Sequence, residues 1–202
     1  YFDYAFKPGI QQDYSLSIRG GSERARYYVM ANYYSQDGNY EHTDLTEHDT
    51  QARFKRYNFR ANVDVDITKD FYVRVDLGAR ITDRHAPGTT ASTVVSLCNT
   101  LPPYLPITVP ENDNPDNEDY VLNNPYGMLY GDYRHRKNIL GELSRTGYLI
   151  EKKTYLNGSF AIGHKLDFIT KGLKIEGVFS YDSSEGKLVN RKLVVNKDGY
   201  ME

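Results

Sequence analysis

The chain has 202 residues and a formal net charge of −2, so it lacks the broad basic field that nucleic-acid-binding proteins use. Its single cysteine, Cys98, excludes an internal disulfide and a cysteine-based metal cluster. No apolar run approaches the roughly 18 residues of a membrane-spanning helix, and the mean hydropathy is −0.66. The 19 tyrosines, with no tryptophan, favour β-strands.

The first predicted hairpin lies between residues 14 and 37. Tyr14–Arg19 alternates apolar and polar side chains and stops at a Gly-Gly-Ser turn signal. From Arg26 the sequence RYYVMANYYSQD alternates again and ends at Asp37-Gly38. Residues 40–53 are polar and charged without periodicity, so they are predicted to form a loop.

The clearest pattern runs from Arg56 to Thr82 and predicts two long antiparallel strands joined at Thr68–Asp70. Every second side chain is apolar, whereas a helical period would scatter the charges around all sides. The apolar face comprises Tyr57, Phe59, Ala61, Val63, Val65 and Ile67 before the turn and Phe71, Val73, Val75, Leu77, Ala79 and Ile81 after it. The opposite face carries the charged residues Arg60, Asp64, Arg74, Asp76 and Arg80.

This alternation fits two kinds of sheet. A soluble sheet turns its apolar face toward a protein core, whereas a membrane barrel turns it toward lipid and keeps the polar face in its lumen. Three features favour the barrel. The strands reach the roughly 9–11 residues that a tilted membrane strand needs. Aromatic residues, Tyr57 and Phe71, bracket the apolar face, and the polar face carries charges of both signs.

Residues 84–153 differ in composition and are predicted to be one long connection. They contain seven of the eight prolines and the acidic run ENDNPDNED, Glu111 to Asp119. A loop of this length is uncommon in a compact soluble domain but ordinary on the extracellular side of an outer-membrane barrel. Tyr148–Lys153 is compatible with an upward extension of the next strand.

The last predicted hairpin lies in TYLNGSFAIGHKLDFITKGLKIEGVFSYDSS, which starts at Thr154 and turns at Thr170–Gly172. Gly158 and His164 interrupt its apolar face. That face is predicted to hold Leu156, Phe160, Ile162, Leu166 and Phe168 before the turn and Leu173, Ile175, Phe179 and Tyr181 after it.

Six strands thus form three hairpins whose connections alternate in length. Short turns are expected near Gly20–Ala25, Thr68–Asp70 and Ile169–Gly172, and long connections at 40–53 and 84–153. Outer-membrane barrels have this asymmetry, with short periplasmic turns and long extracellular loops. The sequence therefore predicts an all-β, antiparallel up-and-down transmembrane β-barrel segment. The residues predicted to face lipid are Phe59, Val63, Val65, Val73, Val75, Leu77, Phe160 and Ile162.

Candidate substrate contacts fall into two sets. Lumen-facing Arg60, Asp64, Arg74, Asp76 and Arg80 would line the route of a solute, or would balance one another or meet a plug. The loop tyrosines Tyr104, Tyr126 and Tyr130 would stack on sugars or side chains, or would pack within the loop or against a lid.

No enzyme, metal or cofactor site is predicted. His42 with Glu47–Asp49 matches no standard ligand spacing, and Asp113, Asp116 and Asp119 lack the glycine of an EF-hand loop. Whether the acidic loop binds Ca²⁺ stays open. The basic patch 134–137 is either a solvated loop face or a contact for anionic lipopolysaccharide or a partner. No catalytic triad order or phosphate loop is found.

Four blocks of sequence resemble the barrel of the SusC/RagA family of TonB-linked outer-membrane transporters. In order, they are YSLSIRGGSERARYYVMANYYSQDGNY, FKRYNFRANVDVDITKDFYVRVDLGARI, NNPYGMLYG and LNGSFAIGHKLDFITKGLKIEGVFSYDSS. The resemblance implies a 22-stranded barrel with an N-terminal plug, the plugged-lumen class. It also implies that the three short turns are periplasmic, so the first strand descends.

The resemblance further implies uptake of oligosaccharides or peptides together with a SusD-like surface lipoprotein, energised by the TonB complex. The chain departs from the family because it holds no plug sequence, so residues 1–202 are expected to be part of the barrel domain of a longer protein. Two alternatives stay open. One is a TonB-dependent receptor for siderophores or haem, and the other is a soluble, carbohydrate-binding β-sandwich.

Overall fold

A computed structural model describes residues 1–41, 51–108, 129–130, 134–135 and 137–192, and its main feature is one six-stranded antiparallel sheet. Each strand pairs with the next strand in sequence, so the first and last strands are the two edges of the sheet. The strands are β1 (Gln11–Gly21), β2 (Ala25–Asp37), β3 (Arg53–Asp66), β4 (Phe71–Pro87), β5 (Gly147–Lys165) and β6 (Lys174–Lys192). The predicted up-and-down order is confirmed.

The connections alternate between short and long, as predicted. Residues 22–24, 67–70 and 166–173 join strands at one end of the sheet, here called the short-turn end. Residues 38–52 and 88–146 join strands at the opposite, long-loop end. Side chains close the short turns: the Ser22 hydroxyl accepts a hydrogen bond from the Ala25 amide at 3.2 Å, and Thr68 accepts one from Phe71 at 3.0 Å.

The strands extend further toward the long-loop end than the sequence pattern indicates. The predicted connection 84–153 is therefore too long, because β4 continues to Pro87 and β5 already begins at Gly147. Beyond Thr82 both faces of β4 are polar, so alternation gives no signal there. The extension of β5 through Tyr148–Lys153, which the sequence allowed, is present. At the short-turn end the strands are instead shorter than predicted. The residues Ile67, Leu166, Phe168 and Leu173 were predicted to lie on strands but belong to the turns.

The pairing register brings one alternating set of mostly apolar residues from all six strands onto one face, here called the apolar face. Val63 pairs with Val75, Val75 with Phe160, and Phe160 with Phe179. One row toward the long-loop end, Leu77 pairs with Gly158. The charged residues of the central hairpin occupy the other, polar face. Because side chains alternate along each strand, this register fixes the face of every residue.

The apolar face has no protein layer against it in the part of the chain described. Phe59 is 49% exposed, Leu77 56%, and Phe160 42%. These side chains therefore do not meet inside a closed core, as they would in a soluble sandwich. The β-sandwich interpretation does not fit this arrangement.

Buried apolar residues gather instead beyond the long-loop end, in a cluster here called the helical cap. Three helices build it: α1 (Phe2–Ala5), α2 (Ala91–Thr100) and α3 (Ile139–Arg145). Its buried members are Ala5, Val94, Cys98, Ile139 and Leu143. The two longer helices lie within the 88–146 connection and were not predicted, since its proline-rich composition suggests irregular structure. No helix among the described residues has the length and apolarity needed to span a membrane.

Hydrogen bonds from polar side chains order the helical cap. Asn138 caps α3 by accepting from the Leu140 amide at 2.9 Å, and its own amide group donates to the carbonyl of Ile107 at 2.7 Å. Thr90 caps α2 by accepting from the Thr93 amide at 3.2 Å. The Tyr1 hydroxyl donates to the Leu105 carbonyl at 2.9 Å. The segment before β1 is thereby tied to the connection between β4 and β5.

Candidate functional site: the polar face and the helical cap

The five charged residues predicted to line a lumen all lie on the polar face of β3 and β4. Arg60 pairs in register with Gly78, and Asp64 pairs with Arg74. Asp76 and Arg80 follow on β4 at alternate positions. They share a face, but their neighbours divide them into two groups, one near the short-turn end and one near the middle of the sheet.

Near the short-turn end the charges neutralise one another. Arg74 lies 4.0 Å from Asp64 and 3.8 Å from Glu176, while Arg26 lies 3.9 Å from Asp64 and from Asp66. The side chains of both arginines are about half exposed or more, so each pair contributes only about 0.2–1 kcal/mol. The network keeps this part of the polar face electrically balanced.

A tyrosine joins this network by reaching across a neighbouring strand. Tyr72 on β4 donates a hydrogen bond from its hydroxyl to Glu176 on β6. The side chain can cross β5 because it lies over Gly163, where an added Cβ would come 2.2 Å from the tyrosine ring. The Arg74 guanidinium stands over the same ring, 4.8 Å from its centroid. Tyr72 is only 7% exposed.

Near the middle of the sheet two arginines lie over tyrosine rings, and neither has a carboxylate partner in the part of the chain described. Arg80 lies over the ring of Tyr155 at 4.4 Å, and Arg56 lies over Tyr34 at 5.0 Å. Within the described part of the chain, Arg60 has no ion-pair partner. Gly78, beside Arg60, leaves room for the Asn157 side chain, whose Oδ1 would lie 2.4 Å from an added Cβ. The carboxylates of Asp76 and Asp182 lie on the same face in this zone but form no ion pair with these arginines among the described residues.

Neutral amides extend the polar face toward β1. The Asn58 amide donates to the Asn32 carbonyl oxygen at 3.0 Å, and the Asn32 amide donates to Asp13 at 2.6 Å. Asp76 accepts a longer bond from the Ser159 hydroxyl, at 3.3 Å. Such side chains can exchange hydrogen bonds with water or with a polar solute, so the wall is suited to a water-filled space.

Sequence reasoning did not name several members of this wall as site candidates. Tyr72, Tyr155 and Glu176 lie on the polar face, and their phase within each strand was available from the alternation. Their contacts were not, because those contacts depend on how β5 and β6 pair with β4 across the long connection. The signal that would have helped is a small residue, Gly163, opposite a tyrosine.

The three candidate loop tyrosines are not brought together. Tyr104 follows α2 and is 78% exposed, so its ring is accessible. Tyr130 is half-buried, and its backbone is held by Ile107 and Asn138 at 3.0 Å each. Tyr126 lies outside the described residues. Packing within the loop therefore fits Tyr130, whereas the exposed ring of Tyr104 is accessible for stacking on a sugar or side chain.

The structure contains no group of three or more potential metal ligands within the described residues. His42, Glu47–Asp49, Asp113, Asp116 and Asp119 fall outside that part of the chain. Cys98, in the helical cap, is 8% exposed, and burial raises the pKa of its thiol. A raised pKa reduces the thiolate fraction, so this cysteine is not activated as a nucleophile or ligand.

The eight residues predicted to face lipid all occupy the apolar face. Phe59, Val63 and Val65 lie on β3, and Val73, Val75 and Leu77 lie opposite them on β4. Phe160 and Ile162 continue the same surface on β5. At the long-loop end this surface is bordered by a row of neighbouring tyrosines on β1, β2 and β3. The ring centroids of Tyr14 and Tyr33 are 6.4 Å apart, and those of Tyr33 and Tyr57 are 5.1 Å apart.

Comparison with known proteins gives one similar sequence and a consistent fold. TonB-dependent receptor P3 of Formosa agariphila is 30% identical over 147 residues, which cover 67% of this chain and 13% of the relative. The chain therefore spans about an eighth of the length of that relative. No protein-family profile matches the chain.

The sheet also resembles solved barrels. The RagAB peptide importer in its closed-closed state matches with a TM-score of 0.57 and 19% identity, covering 93% of this chain and 19% of that chain. Its open-open state matches with a TM-score of 0.59 and 16% identity, covering 100% and 20%. At this identity the similarity establishes the fold, a segment of a large up-and-down barrel.

Proposed function

This chain belongs to the TonB-dependent receptors of the SusC/RagA type, as part of their barrel, and from that premise we propose that it forms a wall segment of an active importer in the outer membrane of a Gram-negative bacterium. The apolar face contacts lipid and the polar face lines the lumen. The observation that carries the proposal is the uncovered apolar face running across all six strands, combined with alternating short and long connections.

The physical argument for this orientation starts from the cost of the alternative. If the polar face met hydrocarbon, Arg60, Arg74 and Arg80 would each cost up to about 2–4 kcal/mol at mid-depth. With the apolar face outward, the same arginines meet water, carboxylates or tyrosine rings. The exposed valines and phenylalanines then contact acyl chains, which removes them from water.

We propose that the solute is an oligosaccharide or a peptide and that a SusD-like surface lipoprotein delivers it to the long-loop end. The resemblance to SusC/RagA proteins supports this assignment, and so does the fold shared with the RagAB peptide importer. The short-turn end faces the periplasm, and residues 88–146 form an extracellular loop. TonB supplies the energy through a plug region that lies elsewhere in the full-length protein.

Deletion of the gene in its native bacterium tests the proposal. Growth on a panel of oligosaccharides or on peptides as sole nutrient is expected to fall, and the full-length protein is expected to co-purify with a lipoprotein. The control is a complemented strain. If growth falls only when iron is supplied as a siderophore complex or haem, the receptor belongs to iron uptake and the proposed solute class is wrong.

A further inference from the structure

One transverse row of side chains on the apolar face is not explained by contact with acyl chains. Lys55 pairs with Asp83, Asp83 with Lys152, and Lys152 with Lys187, so four strands contribute to a single row. We call it the outer lysine row. We propose that the outer lysine row binds the phosphates of a phosphorylated glycolipid headgroup in the outer leaflet, an inference that rests on the membrane orientation proposed above.

The row lies at the depth where such phosphates are found. Lys55 lies two residues before Tyr57 on the same face of β3, on the side of the long-loop end. Two residues along a strand correspond to about 7 Å. Interfacial tyrosines mark the level of the headgroups in a membrane. The lysine side chains therefore project just beyond the edge of the apolar band.

The charge of the row is only partly compensated within the protein. Lys152 contacts Asp83 at 3.4 Å, yet its side chain remains 62% exposed. Lys55 and Lys187 have no ion-pair partner within the described ranges. Glu185, one row closer to the band, is the remaining nearby carboxylate on β6. Further out on the same face lie two more cations, Arg53 and Arg191.

On the polar face at the same level, the charged side chains form ion pairs with one another. The Glu151 carboxylate forms ion pairs with the Lys153 ammonium group at 2.6 Å and with the Arg84 guanidinium at 3.8 Å. The short-turn end of the apolar face, where Val65, Val73 and Ile162 lie in register, carries no lysine, arginine or carboxylate among the paired strand residues. Among the paired strand residues, the lysines and arginines of the apolar face therefore all lie at the long-loop end. This asymmetry suits a bilayer with anionic phosphates in one leaflet.

A lysine near an anionic membrane surface contributes about 1 kcal/mol, which corresponds to roughly a fivefold change in affinity. Three lysines in one row can therefore hold a headgroup that carries more than one phosphate. Lysine suits this role because its ammonium group on a flexible stem acts as a point charge toward phosphate oxygens.

The test measures phosphorylated glycolipid bound to the full-length protein purified from outer membranes in mild detergent. In the triple variant Lys55→Gln, Lys152→Gln, Lys187→Gln, the amount of bound glycolipid is expected to fall by a factor of about ten or more relative to the wild type. The matched control removes three lysines from the short-turn end, as Lys69→Gln, Lys171→Gln, Lys174→Gln, and is expected to retain the wild-type amount. Equal retention in the two triple variants would overturn the proposal.

A second measurement keeps the proposal testable if the glutamine variant fails to assemble. The wild-type protein is placed in vesicles of a neutral phospholipid with either the phosphorylated glycolipid or its enzymatically dephosphorylated form. Labelling of Lys55, Lys152 and Lys187 by an amine-reactive reagent is followed by mass spectrometry. Protection by the phosphorylated lipid alone supports the proposal. Equal labelling with both lipids, or equal protection by free inorganic phosphate, contradicts a headgroup site.

The outcomes also separate this inference from the proposed function. A triple variant that reaches the outer membrane, imports normally and keeps its glycolipid refutes the phosphate site and leaves the transporter intact. A wild-type protein absent from the outer-membrane fraction refutes the transporter itself.

Discussion

Arg74 and Arg60 have the same side chain on the same face of the sheet, but their surroundings differ. Arg74 is held by Asp64 and Glu176 and by the ring of Tyr72. Arg60 has none of these neighbours within the described residues. A guanidinium already paired with carboxylates has little remaining attraction for a passing anion, whereas an unpaired one attracts it fully. We therefore expect Arg74 to have a structural role, and Arg60 together with Arg80 to be the better candidate for contact with solute.

This difference gives a prediction for import. The double variant Arg60→Gln, Arg80→Gln is expected to lower uptake of an anionic solute several-fold at an unchanged level of protein in the outer membrane. The measurement is accumulation of labelled solute in cells. The control, Lys165→Gln, Lys174→Gln, removes two charges from the polar face near the short-turn end and is expected to import normally. Unchanged uptake in the arginine variant would show that these side chains do not contact the solute.

Two glycines with positive φ provide a second prediction. Gly147, at the start of β5, has φ +94°, and an added Cβ would lie 1.9 Å from the carbonyl oxygen of Arg191. Gly172 has φ +85° and open space around the same position. Gly172→Ala is thus expected to cost about 1–2 kcal/mol through backbone strain alone. Gly147→Ala adds a steric clash and is expected to cost more.

The check is the temperature at which each purified full-length variant loses its folded, heat-modifiable gel mobility. Gly147→Ala is expected to unfold at a lower temperature than Gly172→Ala, and both below the wild type. If the order is reversed, then the backbone of β6 near Arg191 yields more readily than its position suggests.

At the scale of the hairpin, the two faces of β3 and β4 are expected to differ in whether they tolerate an added charge. Val65→Asp combined with Val75→Asp places two carboxylates on the face assigned to lipid, and assembly into the outer membrane is expected to fail. The control pair, Asn62→Asp and Ser180→Asp, adds the same charge to the polar face and is expected to assemble. Immunoblots of outer-membrane fractions measure both. Normal levels of the valine variant would contradict the assigned orientation.

The same two-residue period explains why the core of the sheet could be predicted. Along β3 and β4 each apolar residue is followed by a polar one, so the face of every side chain from Tyr57 to Ile81 follows from the sequence. Beyond Thr82 both faces are polar, as at Asp83 and Arg84, and the period disappears. The strand ends were consequently misplaced, although the strands themselves were correct.

The helices and the contacts between strands were less accessible to sequence reasoning. Helix α2 follows a loop and precedes Pro102, so it is short and surrounded by turn signals. The bond between Tyr72 and Glu176 joins strands separated by the whole 88–146 connection. Its prediction requires the register of two further strand pairs, and register is set by the complete sheet rather than by one segment.

For the molecule as a whole, the two ends of the strands must lie on opposite sides of the membrane. Ser96 is exposed on α2 at the long-loop end, and Lys69 is exposed in a short turn. In intact cells a membrane-impermeant maleimide is expected to label Ser96→Cys but not Lys69→Cys, whereas both are labelled after lysis. Gel shift of the full-length protein with a bulky maleimide is the measurement.

Cys98 serves as the internal reference in that experiment. Its thiol is buried and its pKa is raised, so the wild-type protein is expected to react much more slowly than Ser96→Cys at neutral pH. Labelling of Lys69→Cys in intact cells would reverse the assigned topology. Rapid labelling of the wild type would indicate that the helical cap opens.

The helical cap draws its side chains from three separate places in the chain. Ala5 precedes the first strand, Tyr40 follows the second, and Cys98 and Leu143 belong to the insertion after the fourth. Because these side chains pack against one another, a pull on residues 1–6 is expected to move α2 and α3 with them. The helical cap above these six strands would therefore respond to force as one unit, rather than as separate loops that move one at a time.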